Sequence, residues 1–181
     1  MNRRLTKVKY KPGKGVYVEY EVLHNEKWDT HTMRSNDTPE PEFVEALQAL
    51  APDVADLCEL CPGCATGIVV QGVSLCYAGE DGVMGATITA LRNLDSANSP
   101  LVLNTPHKPE CAEDGKTPTL SAQCCQHIDA LEVAAWGYVD GNRVQMMFAF
   151  GMGQDLEDKE GLSALMDDVR SGVVTLEKTM P

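Results

Sequence analysis

Apolar and polar residues alternate with a period of two through the first third of the chain. Val16, Val18, Tyr20 and Val22 fall on one side of a strand, and Tyr17, Glu19, Glu21 and Leu23 on the other, as in a sheet with one buried face. Pro12-Gly13-Lys14-Gly15 ahead of it is turn chemistry and predicts a preceding strand over residues 5–10. Asn25-Glu26 then reverses the chain into a third strand, residues 27–34, rich in Trp and Thr.

The period changes after Arg34. Ser35-Asn36-Asp37-Thr38 offers capping side chains, and Pro39 suits a first turn whose N–H has no partner. Phe43, Leu47 and Leu50 form a helical stripe, with Val44 and Ala46 beside it. Pro52 interrupts, residues 54–60 read as a further turn or two, and Cys61-Pro62-Gly63 stops the helix. A hairpin follows, residues 68–77 and 83–91, reversing through Ala78-Gly79-Glu80-Asp81-Gly82. Gly72 and Gly85 inside those strands predict bulges or a close-packed helix. Residues 101–103 make a short strand, and 104–119, with Pro106, Pro109, Gly115 and Pro118, read as an exposed loop. Ser121 is a helix cap, Leu120 and Cys125 are spaced as a hydrophobic staple, and Ile128, Leu131, Ala135 and Tyr138 share a face. Asp140-Gly141 ends that helix. Residues 143–150 could be a last strand and 156–169 a final helix with an acidic polar face.

The order is βββα-βββα plus a C-terminal strand and helix. Each half is too small to bury its own sheet face, so the expected fold is α+β: a mainly antiparallel sheet with two principal helices on one face. The expected organisation is a single domain over 1–181, with 1–14 a basic N-terminal arm or edge strand and 151–181 a C-terminal helical extension.

Composition narrows the classes. A hydrophobic share of 43% suits a globular domain. No apolar run approaches the ~20 residues of a membrane span, and the basic start leads into no apolar stretch. The expectation is a soluble protein in the cytoplasm of a bacterial host, with no membrane partner. Net charge is −12, but residues 1–27 hold seven Lys/Arg against three Glu. The rest is thus strongly acidic and repels phosphate backbones, leaving nucleic acid only a weak contact through the N-terminal arm.

Of seven cysteines, Cys58, Cys61 and Cys64 are spaced three apart around a turn, and Cys76 could return as a fourth thiolate. Free thiols are the default in a reducing compartment, with a structural zinc site as the second reading. Redox chemistry ranks below both, because the motif follows a helix C-terminus, where the dipole works against a thiolate. Cys111, Cys124, Cys125 and His127 form a looser cluster, with Cys125 expected to pack inward and Cys124 to share a face with His127. Asp29 and His31 alternate on one strand face, where they could touch each other or a ligand or simply be exposed. No nucleophile elbow, phosphate loop, calcium loop or HExxH pattern occurs, so no catalytic set is visible and no cofactor other than zinc is implied.

Two segments are candidate contact surfaces. Arg3, Arg4, Lys7 and Lys9 could ride on phosphates, or could guard an edge strand against aggregation. Gln145, Met147 and Phe148 lie in a run similar to the short peptides that dock on replication clamps, though a core strand explains it as well.

Ser35-Asn36-Asp37-Thr38-Pro39-Glu40-Pro41-Glu42-Phe43-Val44-Glu45-Ala46-Leu47, then Gly72-Val73-Ser74-Leu75, Gly82-Val83-Met84-Gly85-Ala86-Thr87-Ile88 and Leu103-Asn104-Thr105-Pro106-His107 resemble a family of small proteins of tailed phages and prophages of Gram-positive bacteria. The similarity spans roughly residues 16–143 and implies no catalytic residues. Cys61 and Cys64 fall outside that family's pattern. The element order also looks like a DNA sliding-clamp domain, whose helices, unlike these, are basic. Together these imply a non-enzymatic phage accessory protein acting through protein contacts in DNA replication or recombination, with homo-oligomers possible. The alternatives are a small-molecule-binding or host-defence-blocking protein, with a pocket framed by residues 104–119 and 79–82, and a zinc-stabilised interaction module.

Overall fold

The computed structural model describes residues 3–61, 63–79, 82–94, 99–112 and 116–144. Their chain order is β1 (Arg3–Lys11), β2 (Gly15–His24), β3 (Lys27–Ser35), α1 (Pro41–Gln48), α2 (Ala51–Leu57), β4 (Ile68–Ala78), β5 (Val83–Arg92), β6 (Leu101–Asn104), β7 (Lys108–Pro109) and α3 (Ala122–Val139). The strands form one antiparallel sheet in the order β3-β2-β1-β4-β5-β6, with β7 also on β5. The fold is α+β, with the bent pair α1–α2 and the long α3 against the sheet. The strand and helix expected over 143–150 and 156–169 lie outside the described residues, apart from an isolated bridge between Arg143 and Pro39. No helix among the described residues is long and apolar enough to cross a membrane.

Register explains the single buried face. Val8 pairs with Val18 on one side and Val73 on the other, and Val73 pairs with Ile88. These four side chains share one side of the pleat and are 0 to 3% exposed. Phe43, Leu47, Leu50, Val54, Ile128, Leu131, Ala135 and Tyr138 close over them. Phe43 sets its ring edge-on to Tyr10 of β1, centroids 6.2 Å apart, and 5.7 Å from Tyr138 of α3. Opposite, Lys7, Lys9, Tyr17, Glu19, Thr32 and Arg34 occupy the alternate positions and leave that face of the sheet open.

Turns follow the local chemistry. Asn25 and Glu26 both take positive φ, 48° and 63°, which the β2–β3 reversal requires. Ser121 Oγ accepts the Cys124 N–H at 3.0 Å and caps α3. At β4 the register shifts between Val70 and Gly72, and Gln48 compensates. Its side-chain amide donates to Val70 O at 2.9 Å and accepts from Val70 N at 3.0 Å, pinning α1 to the sheet.

Four expectations are corrected. β1 is an inner strand, hydrogen-bonded on both sides, so its lysines guard no edge. The first helix begins at Pro41, with Glu40 before it and no side-chain cap, while Ser35 and Asp37 serve a turn instead. Cys124, not Cys125, packs inward, a helix phase one residue away from the expected one. Residues 104–119 do not stand free throughout: Thr105 is buried, accepts from Ile88 N and donates its own N–H to Ile88 O, and Lys108–Pro109 pairs with β5.

Two ion pairs tie the ends of this unit together. Arg3 donates both terminal nitrogens to Asp140, 2.9 Å each, and Arg143 Nη1 reaches Asp37 at 2.6 Å. The Ser35 hydroxyl and then Arg143 hold the Asp37 carboxyl below its ordinary range, and Arg3 does the same for Asp140. A carboxyl that ionises more readily when folded contributes stability above its unfolded pKa and loses it as pH falls through the lower, folded value. The urea midpoint should therefore drop as pH falls from about 5 to about 3, and the double change Asp37→Asn, Asp140→Asn should flatten that part of the curve.

Candidate functional site

The open sheet face gathers cations from three places in the chain. Lys7 and Lys9 stand on β1, Lys14 on the β1–β2 turn and Arg34 near the end of β3. Register brings them together: Lys9 lies across from Tyr17, and Tyr17 across from Arg34. Lys7, Lys9, Lys14, Arg34, Tyr17, Val16, Ser35 and Asn36 line a concavity of about 600 Å³, with no carboxylate among the described residues of its wall. A second hollow of about 360 Å³ continues from Lys9, Lys11 and Lys14 across Gly72 to Thr89 and Leu91. The track thus crosses five strands, β3, β2, β1, β4 and β5.

Gly15 makes the turn geometry possible. Its φ is +83°, and a β-carbon there would overlap the Ser35 carbonyl oxygen. Tyr17 is fixed by its hydroxyl, which donates to Glu19 Oε2 at 2.6 Å, and that acceptor pushes the phenol up. The Arg34 guanidinium lies 5.1 Å from the Tyr17 ring centroid, a cation resting on an aromatic face. Glu19, in register with Lys7, is the nearest acid in the pairing.

The residues of the basic arm do not act as one set. Lys7 and Lys9 line the concavity. Arg4 lies on the same face but is engaged by Glu21 at 2.6 Å and lies 4.0 Å from the Trp28 ring centroid. Arg3 points to the helix side, onto Trp136 and Asp140. Gln145, Met147 and Phe148 lie outside the described residues.

The four proposed zinc thiols are not brought together. Cys61 and Cys64 are joined as a disulfide, which corrects the expectation of free thiols there. Cys58 ends α2, where burial pushes its thiol up. Cys76 lies far along β4: a strand advances about 3.3 Å per residue, so it is roughly 26 Å beyond Ile68 and out of reach of Cys64. The looser cluster forms no ligand set among the described residues either. Burial pushes the Cys124 thiol up to about 12, while His127 Nδ1 hydrogen-bonds Asp53 Oδ2 at 2.7 Å and joins α3 to α2. Asp29 and His31 do not meet: Asp29 pairs with His24 at 3.1 Å, and His31 stacks on Tyr20. Among the described residues no three His, Cys, Asp or Glu side chains are placed to hold a metal ion.

Lys7, Lys9 and Lys14 all fall in the basic arm, but Arg34 was missed in the sequence because it is remote from them along the chain and only strand pairing brings it alongside. One signal was available: Lys7 and Lys9 alternate with Val8 and Tyr10, so they share a face. Comparison with protein-family models, with curated proteins and with solved structures gives no match.

Proposed function

We propose that the chain is a non-enzymatic accessory protein that works by binding, and that it holds single-stranded nucleic acid on the open face of its sheet. The observation that carries this reading is the convergence of Lys7, Lys9, Lys14 and Arg34 on one concavity without a carboxylate among the described residues of its wall, in a chain of net charge −12. So acidic a body repels a polyanion elsewhere, which confines binding to this face. Lysines neutralise backbone phosphates, and Arg34, already resting on Tyr17, offers a flat cation on which a base can stack. Single strands are the common intermediate of replication and recombination, the processes that the resemblance to phage accessory proteins suggests. The likeness to a sliding clamp contributes only element order, since α1 and α3 present Glu42, Glu45, Asp129 and Glu132 instead of lysines.

Fluorescence anisotropy with a labelled single-stranded oligonucleotide tests the reading. Four phosphate contacts to a single strand should give a slope of about −3 for log affinity against log salt. The double reversal Lys9→Glu, Arg34→Glu should cut affinity at least about tenfold and make the slope shallower. No binding at low salt, or equal binding by the reversed variant, would defeat the proposal. Displacement of the strand by polyglutamate at equal charge concentration would point to an acidic protein partner instead.

A further inference from the structure

A second arrangement stands on the same sheet face, outside the cationic track. Cys76 Sγ lies 3.6 Å from His107 Nε2, and both residues are exposed. Two features hold them there. Between Asn104 and Lys108 the outer strand advances four residues while β5 advances three, Thr89 to Ala86. The extra residue is a bulge, a device that re-aims side chains, and His107 lies in it. Beneath the ring is Gly85, paired with Cys76. A β-carbon there would overlap His107 Cε1, and would sit 2.7 Å from Nε2 and 3.3 Å from Cys76 Sγ. The missing side chain is what lets thiol and imidazole converge.

We propose that Cys76 and His107 are two ligands of a zinc site. Zinc bonds of about 2.3 Å to sulfur and about 2.0–2.1 Å to nitrogen, at a tetrahedral angle, put the two ligand atoms about 3.6 Å apart, the spacing found here. Sulfur with imidazole selects zinc over magnesium or calcium, which take oxygen. No third His, Cys, Asp or Glu joins the pair among the described residues. With the described residues alone, the remaining positions are open to water or to the same pair on a second copy, which would complete a two-Cys, two-His tetrahedron.

Cobalt(II) titration tests this on the full chain carrying Cys58→Ser, Cys61→Ser and Cys64→Ser, so that thiols of the 58–64 turn, released if their disulfide is reduced, do not compete. The expected result is a near-ultraviolet thiolate-to-cobalt charge-transfer band, bleached by zinc. It should persist in Cys111→Ser and vanish on adding Cys76→Ser. His107→Ala and Gly85→Ala, with folding checked by circular dichroism, should each weaken apparent affinity at least tenfold. Absence of the band in the parent variant, or its survival in Cys76→Ser, would overturn the proposal. Sedimentation of the zinc-loaded parent distinguishes one metal per chain from one per two chains, and either ratio supports the pair as ligands.

Discussion

A Gly72→Val variant should lose about 3 kcal/mol or more of stability, enough to unfold a marginal domain. β1 and β4 pair in register over three positions, Lys7↔Ser74, Val8↔Val73 and Lys9↔Gly72, with the Tyr77 hydroxyl donating to Leu5 O beyond them, and this short seam joins the two halves of the sheet. At Gly72 a β-carbon would overlap the Val8 carbonyl oxygen and lie 2.8 Å from Lys9 Cγ and 3.1 Å from Lys9 Cα. The obstacle is space, since backbone atoms of a buried strand cannot swing aside. Making room means separating the strands and leaving their amides unpaired, at about 1–3 kcal/mol for each group. Chemical denaturation reads this directly, with Gly72→Ala milder than Gly72→Val. A valine variant within about 0.5 kcal/mol of the parent, the range of an inconsequential surface change, would show that the seam tolerates a side chain.

The second large effect is expected at Phe43. This ring is 2% exposed and touches Tyr10 of β1 and Tyr138 of α3, so one side chain links sheet, α1 and α3. Truncation to alanine removes its buried surface and leaves a void, at about 3–5 kcal/mol, and forfeits two ring contacts of about 0.5–1.5 kcal/mol each already counted within that range. Phe43→Leu should recover more than half of the loss. Thermal melts of the two variants check both the size and the order, and an alanine variant that melts with the parent would remove Phe43 from the core.

Local features were legible where one short segment determines its own conformation. Asn25-Glu26 could be read as a reversal because few residue pairs accept two positive φ values, and the structure has them there. Ser121 could be read as a cap because its hydroxyl needs only the N–H three residues on. Gly72 was legible as a bulge, although nothing local named the carbonyl it must avoid. Ser35 and Asp37 misled for the same reason. Their side chains suit a helix start, but the partner that claims Asp37 is Arg143, over a hundred residues away. The lysines of β1 misled more deeply. Alternating cations next to a terminus look like edge protection, and only the pairing with β4 reveals that they line an open face of an inner strand. The cationic track and the Cys76–His107 pair are products of register and of a bulge, and neither is written in any single stretch.

The position of β1 also dictates the timing of assembly. A ribosome releases β1, β2 and β3 first, and they can zip into two hairpins on their own. The inner flank of β1 then waits, its amides hydrated, until α1, α2 and finally β4 have emerged. During that interval the nascent chain carries an unpaired strand flank whose lysines give any homologous passer-by a charge to overcome before it can add on.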